Sequence, residues 1–201
     1  MLLRISQVLL LFASSTAVFA DEPWARTLDK HGVVIETRKV LGSDYKEFRA
    51  TMTVNANLQK SLAVMQDFAG YKKWMKDCKE SRRIAELSAS SGIVYSLQAT
   101  PWPISEREAV VRYTYQKTIK PATVLIWLAA APDAMPPTPG KVRIAKLKGY
   151  WRFRELAPNR TEVIYSMHSE PGGSLPGWAA AGMVAHLPFE TLKKLREHLE
   201  R

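Results

Sequence analysis

Residues that do nucleophilic or metal chemistry are few in this sequence, and their spacing favours neither. Cys78 is the single cysteine, and it lies among charged residues with no histidine nearby. No G-x-S-x-G elbow is present, so activated-nucleophile catalysis finds no support. The histidines form no i,i+4 pair and no H-E-x-x-H motif; they are His31, His168, His186 and His198. We therefore expect no catalytic residue, no metal and no cofactor.

The triplet Glu106-Arg107-Glu108 at the start of a predicted strand offers a different chemistry. Side chains alternate along a strand, so Arg107 shares a side with Ala109 and Val111. A guanidinium on an apolar face is costly unless it is paired, and a phosphate would be a suitable partner. We predict that Arg107 binds an anionic headgroup; an ion pair with a buried acid is the alternative. Glu106 and Glu108 are predicted to be solvated carboxylates beside a basic strand.

Alternation in two later segments indicates which face of the sheet is dry. Apolar and aromatic side chains alternate with charged or polar ones over residues 147–154 and 163–168, which predicts strands with one apolar face. Several large side chains either line a cavity on that face or fill a solid core. The residues predicted to line it and bind a ligand are Tyr95, Tyr113, Trp151, Phe153, Tyr165 and Met167.

The elements that must position these residues follow from the same patterns. Strands are predicted over residues 33–40, 45–54, 80–87, 93–98, 109–116, 123–130, 142–155 and 161–168. Helical spacing marks residues 58–68 and 178–200, and Pro188 should kink or break the second helix. A sheet with one apolar face and a long striped helix must bury those surfaces together. We predict an α+β fold in which a curved antiparallel sheet wraps the C-terminal helix.

Composition limits the classes of protein that remain. The 201 residues are 46% hydrophobic and 24% charged, and no repeat is visible, so one domain is expected over residues 24–201. Twenty-nine basic against 19 acidic residues give a net charge of +10, which favours anionic partners. No phosphate loop, zinc spacing or RNA-binding motif accompanies this charge. We expect transient contact with an anionic membrane surface and no nucleic-acid partner.

Residues 1–20 have the pattern of a cleaved signal peptide. Arg4 gives a positive start, an apolar run follows, and Val18 and Ala20 stand at the −3 and −1 positions of a cleavage site. An uncleaved anchor is the alternative, although the run is short for a membrane span. We expect an exported protein, most simply a periplasmic one, and a lone cysteine suits that oxidising compartment.

Three motifs in one order carry a resemblance to a known family. They are Pro101-Trp102-Pro103-Ile104-Ser105-Glu106-Arg107-Glu108, then Glu170-Pro171-Gly172-Gly173-Ser174-Leu175-Pro176-Gly177-Trp178, then the segment 188–196. Together they resemble the START (steroidogenic acute regulatory protein-related lipid transfer) family, and within it the phosphatidylcholine transfer proteins. Glu170 stands where the family usually has aspartate. The resemblance covers virtually the whole chain after residue 24.

The resemblance implies a helix-grip (START and Bet v1-like) fold that holds one lipid in an internal hydrophobic tunnel. The family arginine that matches Arg107 pairs with ligand phosphate in phosphatidylcholine carriers. In sterol carriers it pairs with a carboxylate on the preceding strand. Residues 92–98 contain no acid here, which favours a phospholipid over a sterol.

The lid of this tunnel and its contact with a membrane are assigned to two further segments. The residues concerned are Trp102, Gly173, Pro176, Trp178, Met183 and Leu187. Trp102 lies in a proline-flanked loop and is expected to enter a membrane interface. The glycines around Pro176 suit a hinge at the base of the lid.

The function expected from these features is non-enzymatic binding, and transfer, of a lipid by a monomer. One alternative is a helix-grip enzyme, a cyclase or hydrolase, that uses Arg107 with His168 or Tyr113 on a hydrophobic substrate. Another is a binding module for a hydrophobic regulator. The bound molecule itself distinguishes these hypotheses.

Overall fold

The computed structural model describes residues 22–201. The predicted signal peptide, residues 1–20, lies outside the described residues and stays a prediction. The strands are β1 (Ala25–Lys30), β2 (Val33–Arg38), β3 (Glu47–Val54), β4 (Cys78–Ser88), β5 (Ser91–Gln98), β6 (Arg107–Thr118), β7 (Thr123–Ala130), β8 (Val142–Arg143), β9 (Lys146–Ala157) and β10 (Arg160–Glu170). The α-helices are α1 (Leu58–Gln66), α2 (Tyr71–Trp74), α3 (Gly177–Val184) and α4 (His186–Leu199).

Within the described residues these strands form one sheet, which grips the last helix. Its order is β1-β2-β3-β10-β9-β7-β6-β5-β4, and β8 lies beside β6 as a short parallel strand. Neighbours along the main order are antiparallel. Helix α4 packs against β2, β3 and α2, and buries Leu192, Leu195 and Leu199. The predicted helix-grip fold is confirmed.

The two faces of the sheet have separate hydrophobic clusters. Side chains on the concave face, such as Val111 and Phe153, belong to the main core under the helices. A smaller cluster lies on the convex face, where Tyr95 and Val110 pack with Met135 of the loop between β7 and β8. Part of the outer face is therefore dry because this loop covers it.

The predicted strand 142–155 is two strands in the structure. The backbone N–H groups of Val142 and Ile144 donate to the carbonyls of Glu106 and Glu108, so this piece follows β6. From Lys146 onward the chain pairs with β10 instead. Strand β8 ends where the chain leaves β6 and begins to pair with β10. The alternation of side chains does not encode this change of partner strand.

The predicted C-terminal helix over residues 178–200 is also divided. Helices α3 and α4 meet at Ala185, whose φ of −124° is not helical. Pro188 has no N–H to donate to the carbonyl of Val184, and its ring would clash with that carbonyl in a continuous helix. The break therefore precedes Pro188, which takes a place in the first turn of α4.

Candidate functional site

An internal cavity of about 140 Å³ lies between the concave face of the sheet and the helices. Its wall is mainly apolar and aromatic, and α3 and α4 close one side through Met183 and Leu187. The concave side of the sheet is hollow, and its walls suit hydrocarbon.

Four of the six predicted ligand-binding aromatic and methionine side chains line this cavity. They are Tyr113, Trp151, Tyr165 and Met167. The rings of Trp151 and Tyr165 stack in parallel with their centroids 3.9 Å apart. Phe153 is fully buried beside Trp151 but is not in the cavity wall. Its place in the solid core corrects the prediction that it lines the cavity.

Tyr95 lies on the other face of the sheet, and the prediction that it lines the cavity is wrong. It pairs in register with Val110, and both belong to the convex cluster. The guanidinium of Arg82 lies 4.9 Å from the centroid of its ring. Its strand neighbours Val94 and Ser96 face the cavity instead, as strand alternation requires.

Arg107 is buried on the predicted side of β6, with 3% of its surface exposed. Its Nη1 donates to the carbonyl of Ser105, and its Nη2 lies 3.4 Å from the carbonyl oxygen of Gly172 and 3.3 Å from that of Ser174. Burial lowers its pKa from the ordinary value, but an arginine remains charged in proteins. Arg107 thus fastens the loop before α3 to β6 and is not in the cavity wall.

The two alternatives for Arg107 are both absent from the described residues. None of them places a carboxylate within ion-pair distance of this guanidinium, so the buried acid is not found. The enzymatic pairing of Arg107 with His168 or Tyr113 does not form either, since the described partners of the Arg107 nitrogens are backbone carbonyls. His168 points to Ser43, with Nε2 3.1 Å from Oγ, and is not in the cavity wall.

Glu108 corrects a second expectation, because this carboxylate is fully buried and not solvated. Its Oε1 accepts from the backbone N–H of Thr138 at 2.9 Å and from Nε of Arg143 at 3.0 Å. Glu106 is partly exposed and pairs with Lys79 and Lys141. Glu108 therefore holds the covering loop on the convex face and plays no part in the cavity.

Three neutral polar side chains form a strip on the cavity wall, which we call the polar strip: Ser81 on β4 and Ser96 and Gln98 on β5. Ser81 and Ser96 pair directly in register. Ser96, Gln98 and Ser81 were not assigned to the site from the sequence. Alternation along β5 from Val94 predicts that Ser96 and Gln98 face the cavity. The side that Ser81 faces depends on register shifts in β4, which the sequence does not reveal.

No charged side chain lines the cavity in the described part of the chain. Burial raises the pKa of Tyr71 and Tyr165, and raises that of Tyr115 to about 12, so these lining phenols are neutral at ordinary pH. Burial also raises the pKa of the Cys78 thiol to about 11, which keeps it protonated and unreactive. Residues 22–201 contain no cluster of metal-ligating side chains.

The predicted lid residues lie around the junction of α3 with the sheet. Gly173 adopts a positive φ of +59° beside Val142 and Arg107, a conformation that favours glycine. Pro176 caps the start of α3, and Trp178 lies in its first turn. Trp102 is 93% exposed in the loop between β5 and β6. In the described residues no helix is long and apolar enough to span a membrane.

Comparison with known proteins shows the family of this fold and cavity. The START domain matches residues 15–201. The chain belongs to the START domain family. An uncharacterized protein from Pseudomonas aeruginosa is 34% identical over 180 residues, which is 90% of this chain and 88% of that protein.

Solved START structures share the architecture. The STAR-related lipid transfer protein of Xanthomonas axonopodis is 33% identical, with a TM-score of 0.81 over 90% of this chain and all of that fragment. The lipid transfer and protein localization domain of human StarD13 has a TM-score of 0.77 at 16% identity and covers 89% of each chain. The second likeness is one of fold alone. The family assignment supports lipid binding as the role of the cavity.

Proposed function

We propose that this START protein binds one lipid in its internal cavity, without chemical change, and carries it between membranes. The apolar cavity between the sheet and the helices is the observation that carries the proposal. Each methylene removed from water is stabilised by about 0.8 kcal/mol, so a dry wall offsets much of the cost of leaving a bilayer. The Xanthomonas relative is named as a lipid transfer protein, which supports the same function here.

The test is the identity of the molecule that the protein carries. Native mass spectrometry of the protein purified from its own host is expected to show one lipid per chain. Purified protein should then move a labelled form of that lipid from donor to acceptor vesicles. A chain that carries no lipid and extracts none from vesicles would contradict the proposal, and a co-purifying polyketide-like molecule would favour the enzyme or regulator alternative.

A phospholipid was favoured from the sequence because Arg107 was expected to be free for a phosphate. Its Nη donors face three backbone carbonyls, and it lies two residues before the lining residue Ala109 on β6. The preference for a phospholipid stays a prediction that has lost its main structural support.

We infer that the end of the sheet that carries Trp102 meets the membrane during loading. Leu41, 86% exposed, lies in the loop between β2 and β3 at the same end, because β2 and β5 both finish there. The net charge of +10 attracts the chain to anionic lipid. Trp102→Ser is expected to weaken binding to anionic vesicles about tenfold, since an interfacial indole is worth more than 1 kcal/mol.

A vesicle co-sedimentation assay measures this effect, and Ile119→Ser is the matched control. Ile119 is 87% exposed in the turn between β6 and β7, at the opposite end of the sheet. We expect the control to bind vesicles as the unmodified protein does. Equal losses in the two variants would show that general surface hydrophobicity, and not this end of the sheet, drives membrane contact.

We also propose that the mature protein acts in the periplasm as a monomer. The support is the signal-peptide pattern of residues 1–20 and the burial of the single cysteine, Cys78, which keeps its thiol from linking two copies. The intact mass of the exported protein and its sedimentation coefficient test the two parts of this proposal separately.

A further inference from the structure

The polar strip contains the unsatisfied hydrogen-bonding groups of the cavity wall. Ser81 is 6% exposed, and its Oγ has no hydrogen-bond partner. The Oε1 of Gln98 is also buried without a partner, and its Nε2 reaches only the sulfur of Met75, at 3.8 Å. Buried polar atoms are ordinarily paired, and a sulfur is a weak acceptor. Both residues line the cavity that a ligand would occupy.

The chemistry of the strip excludes a charged headgroup at this position. A carboxylate or phosphate that enters the cavity loses its hydration, and no lining side chain carries a compensating charge. Arg107 is a cation next to the strip, because it pairs in register with Gln98. Two of its three nitrogens already donate to backbone carbonyls, and the third, Nε, is buried without a partner. An uncharged head can exchange hydrogen bonds with this amide and hydroxyl once their side chains rotate toward the cavity, and it brings no buried charge.

The size and polarity of the cavity also set the orientation and number of hydrocarbon chains. Beyond the strip, the wall continues toward Tyr113, Tyr115 and Ile126, away from the loop before α3. A cavity of about 140 Å³ favours one hydrocarbon chain over two, since a methylene takes about as much volume as the roughly 30 Å³ of a water molecule.

We infer that the ligand is an uncharged single-chain lipid, such as a monoacylglycerol, whose hydroxyl or amide head hydrogen-bonds Gln98 and Ser81. Its tail runs toward Tyr113. This inference rests on the proposed lipid-binding function and specifies the class of lipid. The polar strip, and not Arg107, recognises the head.

A binding assay with three single-chain oleoyl lipids tests the inference on the purified, delipidated protein. Monooleoylglycerol has hydroxyl donors, methyl oleate has none, and oleoyl lysophosphatidate adds a phosphate. Quenching or enhancement of the tryptophan fluorescence reports binding, because Trp151 lies in the cavity wall. We expect monooleoylglycerol to bind about tenfold more tightly than methyl oleate, and lysophosphatidate to bind more weakly than monooleoylglycerol.

The variants Gln98→Leu and Ser81→Ala locate the recognition. Gln98→Leu should reduce monooleoylglycerol affinity about tenfold and leave methyl oleate affinity nearly unchanged, and Ser81→Ala should have a smaller effect of the same kind. Gln116→Leu makes the same chemical change on the exposed face of β6 and is the control. Leucine is close to glutamine in size, so Gln98→Leu should not by itself block the cavity. If this variant loses affinity for both lipids, it is misfolded, and a thermal melt detects that. The Ser81→Ala variant then tests whether the polar strip recognises the head.

Two results would overturn the inference while lipid binding stands. One is tighter binding of lysophosphatidate than of monooleoylglycerol, with the gain lost in Arg107→Gln. The other is an unchanged preference for monooleoylglycerol over methyl oleate in both strip variants. If none of the three lipids binds, and vesicle extraction also fails, the proposed function itself is wrong.

Discussion

Ala109→Phe is expected to reduce lipid retention at least about tenfold and to leave the protein folded. Ala109 is buried on β6, and its methyl group faces the cavity. A phenyl ring there takes the place of two or more methylenes of a ligand, at about 0.8 kcal/mol each. Because the ring enters empty space, the free energy of unfolding should change by less than about 1 kcal/mol, against roughly 1–3 kcal/mol for overpacking a solid core.

Native mass spectrometry gives the bound fraction for this variant, and denaturant titration gives its stability. Ala129→Phe adds the same ring on the exposed face of β7 and should retain lipid like the unmodified protein. Full retention in Ala109→Phe would place the ligand outside this cavity. A large loss of stability would mean that the wall has no room for the ring.

Much of the fold follows from alternation, because one-sided burial leaves a periodic record in each strand. Val163 and Tyr165 face the core and Glu162 faces outward, as their parity predicts. The same argument placed Arg107 on the concave face correctly. Strand β1, by contrast, is mostly exposed and was not predicted, because an exposed edge strand has no apolar side to record.

What alternation does not encode is which distant segment covers a given face. Val110 shares its face with Glu108, and an apolar residue there hinted that the convex side is covered. Arg143 holds the covering loop on this face by donating to Glu108, which lies 35 residues earlier in the chain. Tyr95 was misplaced for the same reason: a large aromatic ring suited a cavity, but it is buried under this loop.

The candidate site shows the same division between local and distant information. The lining residues Tyr113, Trp151 and Tyr165 follow from the parity of their strands. The partners of Arg107 do not, because the carbonyls of Gly172 and Ser174 come from a loop that approaches only in the folded chain. A buried cation predicts that acceptors surround it, but it does not say whether they belong to a ligand or to the backbone.

Glu108→Gln is expected to lower the free energy of unfolding by about 3 kcal/mol at pH 7, the cost of leaving one partner of a buried ion pair uncompensated. Arg143 donates to the Glu108 carboxylate and also to the carbonyls of Pro132, Met135 and Pro136. Without the carboxylate its charge stays buried against neutral acceptors, and the covering loop loses its attachment to β6. Denaturant titration measures the change.

The pH dependence of this loss separates charge from shape. Burial raises the pKa of Glu108, but hydrogen bonds from Thr138 and Arg143 outweigh burial and hold the pKa below its ordinary value. The folded state therefore binds fewer protons than the unfolded state, so the stabilisation is complete well above the unfolded pKa of about 4.3 and is lost as the pH falls through the folded pKa. The gap between the two proteins should be constant from pH 7 to about 5.5 and narrow below about pH 4.

An exposed ion pair supplies the control for this prediction. Glu86→Gln breaks the exposed ion pair on β4 in which Nη1 of Arg83 lies 2.9 Å from Oε2 of Glu86. It should change the free energy of unfolding by less than about 1 kcal/mol. If Glu108→Gln costs no more than this control, other contacts hold the covering loop. Glutamine does not titrate, so any change of the gap with pH must come from Glu108 in the unmodified protein. A large gap that stays constant with pH would therefore assign the effect to the shape of the carboxylate and not to its charge.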